Sequence, residues 1–219
     1  MKTTRIVVVG GGAGGLELVT RLGRRLGRRG KAVITLIDRN STHIWKPLLH
    51  EVATGALDSS IDEISYQGHA GANGYRFQRG TLAGLDREAR QVLLAPIHDD
   101  YGEEILPARR LDYDYLVLSL GSVSNDFGTP GVADHCHFLD SPGQAEAFRR
   151  DMLSTFLRYS DPERRQHTQL TVGIVGAGAT GVELSAELYD ASQMLHSYGF
   201  TEMDSQHLKV HLIEAAPDV

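Results

Sequence analysis

Apolar and polar positions change period several times along the chain, and each change marks an element. Arg5 to Val9, apolar from Ile6 onward, reads as a short buried strand, and the glycines after it predict a tight turn. Leu16, Val19, Leu22 and Leu26 then recur at helical spacing and predict a helix over Leu16 to Leu26. Val33 to Ile37 reads as the next strand, closed by Asp38. From Thr42 to Ile64 the pattern is mixed and Pro47 interrupts it, so a loop and a short helix are expected. "YRFQRGTLAGLD", "RQVLLAPI" and "EEILPARRLDYDYLVLSLG" read as strands; the first two are hairpin-like, and Tyr115 to Leu120 is expected to be a fully apolar core strand. "SNDFGTPGVADHC" reads as loop. Ser141 to Tyr159 reads as a helix with Ser141 as N-cap and Pro142 at its first position. "SDPERRQHTQ" is the best linker candidate, followed by a strand at Leu170 to Val175, a helix from Thr180 to about Leu195 and a strand at Lys209 to Ile213 that ends in Glu214.

The strand, glycine turn, helix, strand, acid order occurs twice. "IVVVGGGAGGLELVTRL" begins at Ile6 and "VGIVGAGATGVELSAEL" at Val172. In the first copy Gly10 permits the tight turn, Gly12 lets a pyrophosphate approach the backbone, and Gly15 lets helix and strand pack closely. The helix N-terminus offers free N–H groups and a positive dipole end to phosphate, and Asp38 stands where a carboxylate can accept ribose hydroxyls. Gly176, Gly178, Gly181 and Glu214 repeat the arrangement. An acid at that place favours a free 2′-hydroxyl over a 2′-phosphate, hence NADH over NADPH, and no cation follows Glu214 in "AAPDV". Two dinucleotide motifs in one chain imply one site for FAD and one for a nicotinamide that reduces it. The expected fold class is therefore α/β, a Rossmann-like flavoprotein with two dinucleotide-binding domains of the glutathione-reductase-like kind. Residues 1–165 would form the FAD domain with an inserted β-meander, and 166–219 the first βαβ unit of an NADH domain. The second motif begins so late that its domain is expected to be truncated.

Composition removes several alternatives. With 41% hydrophobic and 23% charged residues the 219-residue chain resembles ordinary globular proteins, and a net charge of −6 argues against a nucleic-acid partner. The basic run "RLGRRLGRRGK" from Arg21 lies at the end of the first predicted helix, where cations complement the dipole, and is read as a solvated face rather than a membrane-binding one. Cys136 is the single cysteine, so neither a disulfide framework nor the cysteine chemistry of disulfide and sulfide reductases is available. His135 and His137 flank it without matching a zinc spacing, and no metal site is expected. Neither a signal peptide nor an apolar run of membrane-spanning length is visible.

The segments "VVVGGGAGGLE", "ITLIDRNSTHIWKPLLHEVATGALD", "YDYLVLSLGSVSNDFGTPGV" and "VGAGATGVELSAEL" resemble the N-terminal half of type II NADH dehydrogenases, the single-subunit, non-proton-pumping NADH:quinone oxidoreductases of respiratory membranes. "HIWKPLLHEVATG" is the most specific, being similar to that family's flavin-contacting loop. The resemblance implies non-covalent FAD, NADH as donor and a membrane quinone as acceptor. It places Gly10, Gly12, Ala13, Gly14, Gly15, Asp38 and Arg39 against the ADP half of FAD, Lys46, Pro47 and Leu48 along the isoalloxazine, Leu82 near the adenine and Gly121 in a backbone contact. Gly178, Thr180, Gly181 and Glu214 would hold NADH. Glu183 matches an acid between nicotinamide and flavin that could shape a proton route, an alternative to a carboxylate that merely complements the helix start. His50 and Glu51 are read as surface polar residues. A peripheral place on the cytoplasmic face of the inner membrane is implied, with membrane attachment and most of the quinone site outside these residues; a homodimer is compatible with it. The alternatives are a non-catalytic FAD/NAD-binding fragment and a related NAD(P)H-dependent flavoprotein reductase. By itself the chain is expected to bind FAD weakly and to turn over NADH poorly.

Overall fold

The computed structural model describes residues 3–43, 45–58, 63–161, 169–197 and 207–216. In chain order the elements are β1 (Thr4–Val9), α1 (Ala13–Leu22), β2 (Ala32–Asp38), β3 (Thr42–His43), α2 (Leu49–Thr54), β4 (Ile64–Ser65), α3 (Tyr66–Asn73), β5 (Arg76–Arg79), β6 (Leu82–Asp86) and β7 (Gln91–Leu94). They continue with β8 (Ile97–His98), β9 (Glu104–Leu106), β10 (Arg109–Asp112), β11 (Tyr115–Leu118), α4 (Val132–His135), α5 (Pro142–Ser160), β12 (Leu170–Val175), α6 (Ala179–Ser197) and β13 (Leu208–Ile213). Packing divides them into two compact units, residues 1–45 with 63–122, and 46–62 with 123–219. The division at residue 165 proposed from the motifs concerns which nucleotide each part holds. Packing cuts elsewhere, because α2 lies against α5 and α6.

In the first unit a parallel sheet has the order β11-β1-β2-β5. Side chains alternate across a strand, so Val8 faces one core with Val19, Ile34, Leu36, Tyr66 and Ala70, while Val7 and Val9 face another with Ile37, Val92 and Leu94. The first core lies under α1 and α3, and the second under the antiparallel sheet β10-β7-β6. Cover on both faces is why β1 and β2 are mostly apolar rather than alternating. Arg5 closes the bottom of the sheet: its guanidinium meets Asp112 at 2.7 Å and Asp114 at 3.2 Å, and its backbone N–H also donates to Asp114.

Several expectations shift. The first helix begins at Ala13, and after Leu22 it widens into a π-helical turn over Gly23–Gly27. A Cβ on Gly23 or Gly27 would strike the Asn73 or Gly74 carbonyl, so those glycines admit the end of α3. Arg24 donates to the Asn73 side chain and Arg28 to the Ala72 carbonyl, so part of the basic run anchors a helix end instead of only facing solvent. The strand at Tyr115 is not fully buried. Among the described residues β11 pairs only with β1 and lies at the sheet edge, which leaves Tyr115 and Leu118 half exposed or more. α3 carries little helical signal in the sequence, because its glycines and Asn73 weaken helix propensity; the Ser65 cap and the buried Tyr66 outweigh them. The stretch from Thr42 supplies β3, which pairs with β4, besides the expected short helix α2. The expected loop contains the short helix α4.

In the second unit β12 and β13 pair in parallel from Leu170↔Leu208 to Val175↔Ile213. α6 buries Leu184, Leu188 and Ser192, and Phe156 and Tyr159 of α5 pack with Met152, Leu170 and Leu195. Ser141 caps α5 as read, its hydroxyl accepting from Gln144 N–H at 3.3 Å, with Pro142 first in the helix. Most of the linker candidate, residues 162–168, lies outside the described residues. Leu36 is fully buried at the centre of the first sheet, so Leu36→Ala is expected to cost about 2–5 kcal/mol, read as a fall in the urea midpoint at unchanged slope.

Candidate functional site: two glycine loops, each tied to an acid

The first loop leaves β1 at Gly10, whose φ of +102° only glycine adopts without strain. Its N–H donates to the Ile37 carbonyl at 2.8 Å. A Cβ here would collide with the Ser119 carbonyl, and one on Gly15 with the Gly10 carbonyl, so both glycines are required by packing. Gly12 is different: nothing lies within 4 Å of its Cβ position. It caps α1, and its carbonyl accepts from Leu16 at 2.9 Å. Ala13 and Gly14 form the exposed first turn of α1. Asp38 reaches back to this loop, one carboxylate oxygen accepting Gly11 N–H at 2.7 Å and the other Asn40 N–H at 2.8 Å.

The second unit repeats these relations. Gly176 has φ +101° and donates to the Ile213 carbonyl at 2.8 Å; a Cβ on Gly181 would strike the Gly176 carbonyl; the Gly178 Cβ position is open. Glu214 accepts Ala177 N–H at 2.9 Å, and its other oxygen takes Ala215 N–H at 2.7 Å. The Ala177 N–H, followed by those of Ala216 and Ala215, holds the Glu214 carboxyl below its ordinary range and keeps it ionised. Thr180 is exposed in the first turn of α6.

Outside the loops the predicted residues divide. In the first unit Gly121 has φ +72° and is exposed, Arg39 is exposed, and Leu82 packs beside the Val92 and Leu94 core. In the second unit Lys46, Pro47 and Leu48 form one 3₁₀ turn. The Lys46 ammonium lies 3.0 Å from Asp140, whose other oxygen accepts Ser124 N–H at 2.8 Å. Burial opposes the charge on Asp140, but the Ser124 N–H and Lys46 outweigh it and lower its pKa. Neither Asp140 nor Ser124 had a signal in the sequence. His50 is a correction: read as a surface residue, it is 6% exposed, because α2 turns it towards α6, where Nδ1 lies 3.6 Å from the Glu183 carboxylate. Glu183 itself is half exposed. Glu51 shows partial exposure.

These residues fit an adenine dinucleotide. Each loop combines an open glycine, which lets a pyrophosphate reach backbone N–H groups at a helix start, with an acid anchored beside it. Among the described residues no cluster of three His, Cys, Asp or Glu could hold a metal ion, and no helix is long and apolar enough to cross a membrane.

The family model for pyridine nucleotide-disulphide oxidoreductases matches residues 4–219. The chain belongs to that family. It is 48% identical to a type II NADH:quinone oxidoreductase of Haemophilus influenzae, over 96% of this chain and 50% of that protein. A protein of the same name from Staphylococcus aureus is 29% identical over 97% of this chain and 49% of its own length. The chain thus spans about half the length of the curated relatives it matches. Among solved structures, NDH2 of Plasmodium falciparum in complex with NADH superposes at a TM-score of 0.81 with 21% identity, covering 99% of this chain and 43% of that one. The sulfide:quinone oxidoreductase of Aquifex aeolicus superposes at 0.70 with 18% identity, covering 99% and 44%. At such identities the likeness is one of fold: the α/β, Rossmann-like flavoprotein class read from the glycine motifs. In this member of the pyridine nucleotide-disulphide oxidoreductase family, Cys136 is the lone thiol, so the family name's disulphide chemistry has no cysteine pair in this chain.

Two outcomes are expected from this geometry. Gly15→Ala must displace a backbone carbonyl and should lower stability by about 1–3 kcal/mol, whereas Gly12→Ala has open space and should change it by less than about 1 kcal/mol, both by urea unfolding. The second concerns pH. Burial lowers the His43 pKa, the Gly11 carbonyl and Asp38 opposing it only in part. Stability from keeping His43 neutral is therefore complete above the unfolded value of about 6.5 and is lost as pH falls through the lower folded value. Between about pH 8 and pH 5, His43→Gln should lose less stability than the wild type.

Proposed function

We propose that the chain works as, or within, a type II NADH:quinone oxidoreductase, with FAD in the first loop and NADH in the second. The single observation that carries the reading is the twin geometry: two glycine loops in one chain, each open at its middle glycine and each tied to an acid. Identity of 48% with the Haemophilus influenzae protein supports the choice of donor and acceptor.

When bound, FAD would accept a hydride equivalent from NADH and pass two electrons on to a quinone. The chain's own residues do the rest. Gly12, Ala13 and Gly14 present exposed backbone N–H groups to the pyrophosphate of FAD, Gly10 and Gly15 shape the turn that brings them there, Asp38 and Arg39 face its ribose, and Leu82 and Gly121 border the ADP half. Lys46, Pro47 and Leu48, held by the Lys46–Asp140 pair, lie along the flavin ring. Gly178, Thr180 and Gly181 receive NADH. Glu214, kept ionised, repels a 2′-phosphate and so selects NADH over NADPH. Glu183, with His50 Nδ1 3.6 Å away, shapes a proton route beside the second loop. Membrane quinone as partner, a peripheral place on the cytoplasmic face of the membrane and a homodimer belong to the same proposal.

The test is anaerobic. The chain is saturated with FAD, its visible bands are recorded, and NADH is added. A perturbed flavin spectrum that bleaches with NADH, and much more slowly with NADPH, is the expected result. A flavin spectrum identical to free FAD at every concentration would overturn the reading. Gly12→Ala, which leaves the fold intact, is expected to weaken FAD binding at least tenfold, about 1.4 kcal/mol, because its methyl stands where the pyrophosphate approaches.

A further inference from the structure

Among the described residues, the first loop carries a hold that the second does not. Tyr66 opens α3 directly after its Ser65 cap and is 2% exposed, stacked on Phe77 with ring centroids 5.1 Å apart. Its hydroxyl donates to the Gly11 carbonyl at 2.7 Å and lies 3.5 Å from His43 Nδ1. Burial raises the Tyr66 pKa far above the usual phenol value, so the hydroxyl stays a donor at any physiological pH. A Cβ on Gly11 would run into the Tyr66 ring, which explains a glycine that the dinucleotide spacing itself does not require.

The consequence follows from peptide geometry. In a planar trans peptide the C=O and the next N–H point in opposite directions. With the Gly11 carbonyl fixed on buried Tyr66, the Gly12 N–H points to the other side, where Gly12 is exposed and its Cβ position is open. Asp38 meanwhile holds the Gly11 N–H, so two successive peptides are fixed by two side chains. In the second loop Glu214 repeats the Asp38 bond to Ala177 N–H. Among the described residues no side chain donates to the Ala177 carbonyl, and Ala177 carries the methyl that Gly11 must lack.

We propose that Tyr66 is a positioning residue of the first nucleotide loop: its hydroxyl sets the Gly11–Gly12 peptide so that the Gly12 N–H faces a dinucleotide pyrophosphate. This preorganisation lets the first site retain its dinucleotide. The inference rests on the reading that FAD occupies the first loop and NADH the second.

Tyr66→Phe keeps the ring stack and removes the hydroxyl. In the 219-residue chain it is expected to raise the FAD dissociation constant about tenfold, mainly through a faster off-rate, and to leave NADH affinity within twofold. Without any nucleotide, the Gly12 amide is expected to shift in the nitrogen–proton correlation spectrum and to exchange faster. Unchanged FAD affinity with an unchanged Gly12 amide would overturn the inference. So would an equal loss of FAD and NADH affinity, since that marks a general structural role. A wild-type chain that takes up no FAD would overturn the functional reading instead, and the Gly12 amide, which needs no ligand, would still decide whether Tyr66 fixes the peptide.

Discussion

The bond between a carboxylate at the end of one strand and an N–H in the glycine turn of its neighbour organises both nucleotide loops. Asp38 to Gly11 and Glu214 to Ala177 are the same bond made twice. Each needs the two strands in parallel register, and each register pair ends where it must: Val9 beside Ile37, and Val175 beside Ile213. The acid is then delivered to the turn by the strand and held there by backbone donors. A charge anchored this way leaves its remaining lone pairs oriented for a ligand, and orientation fixed in advance costs nothing at the moment of binding.

Packing explains why the turns have so little freedom. Gly10 and Gly15 sit where any side chain would meet main-chain carbonyls; Gly181 repeats that crowding, and Gly176, open in space, is held to glycine by its φ of +101°. Gly12 and Gly178 stand at the opposite extreme, with open space above them. Glycine thus serves two ends in one short motif: a positive φ or contact with the protein's own backbone at the outer positions, and an approach path for something else at the middle one.

Much of this was legible in the sequence because it is local. Strand, turn, helix and acid follow one another within one βαβ unit, so spacing alone identified Asp38 and Glu214 as well as the glycines. What stayed hidden depends on chain segments far apart. Tyr66 reaches Gly11 only because α3 folds under the sheet, Asp140 meets Lys46 across a long separation, and His50 is buried only because α2 packs on α6. The strand at Tyr115 shows the converse error: a wholly apolar run reads as core, yet its place at the sheet edge leaves half of it in solvent. Composition records what a segment could bury, and topology decides what covers it.

In the proposed reading the two loops are separate sites for two different dinucleotides. Nitrogen–proton correlation spectra of the labelled chain, titrated with FAD and with NADH in turn, test it most directly. FAD is expected to move the amides from Gly10 to Leu16 and NADH those from Gly176 to Val182, each leaving the other loop in place. Both ligands moving the same loop, or neither moving any glycine amide, would contradict it.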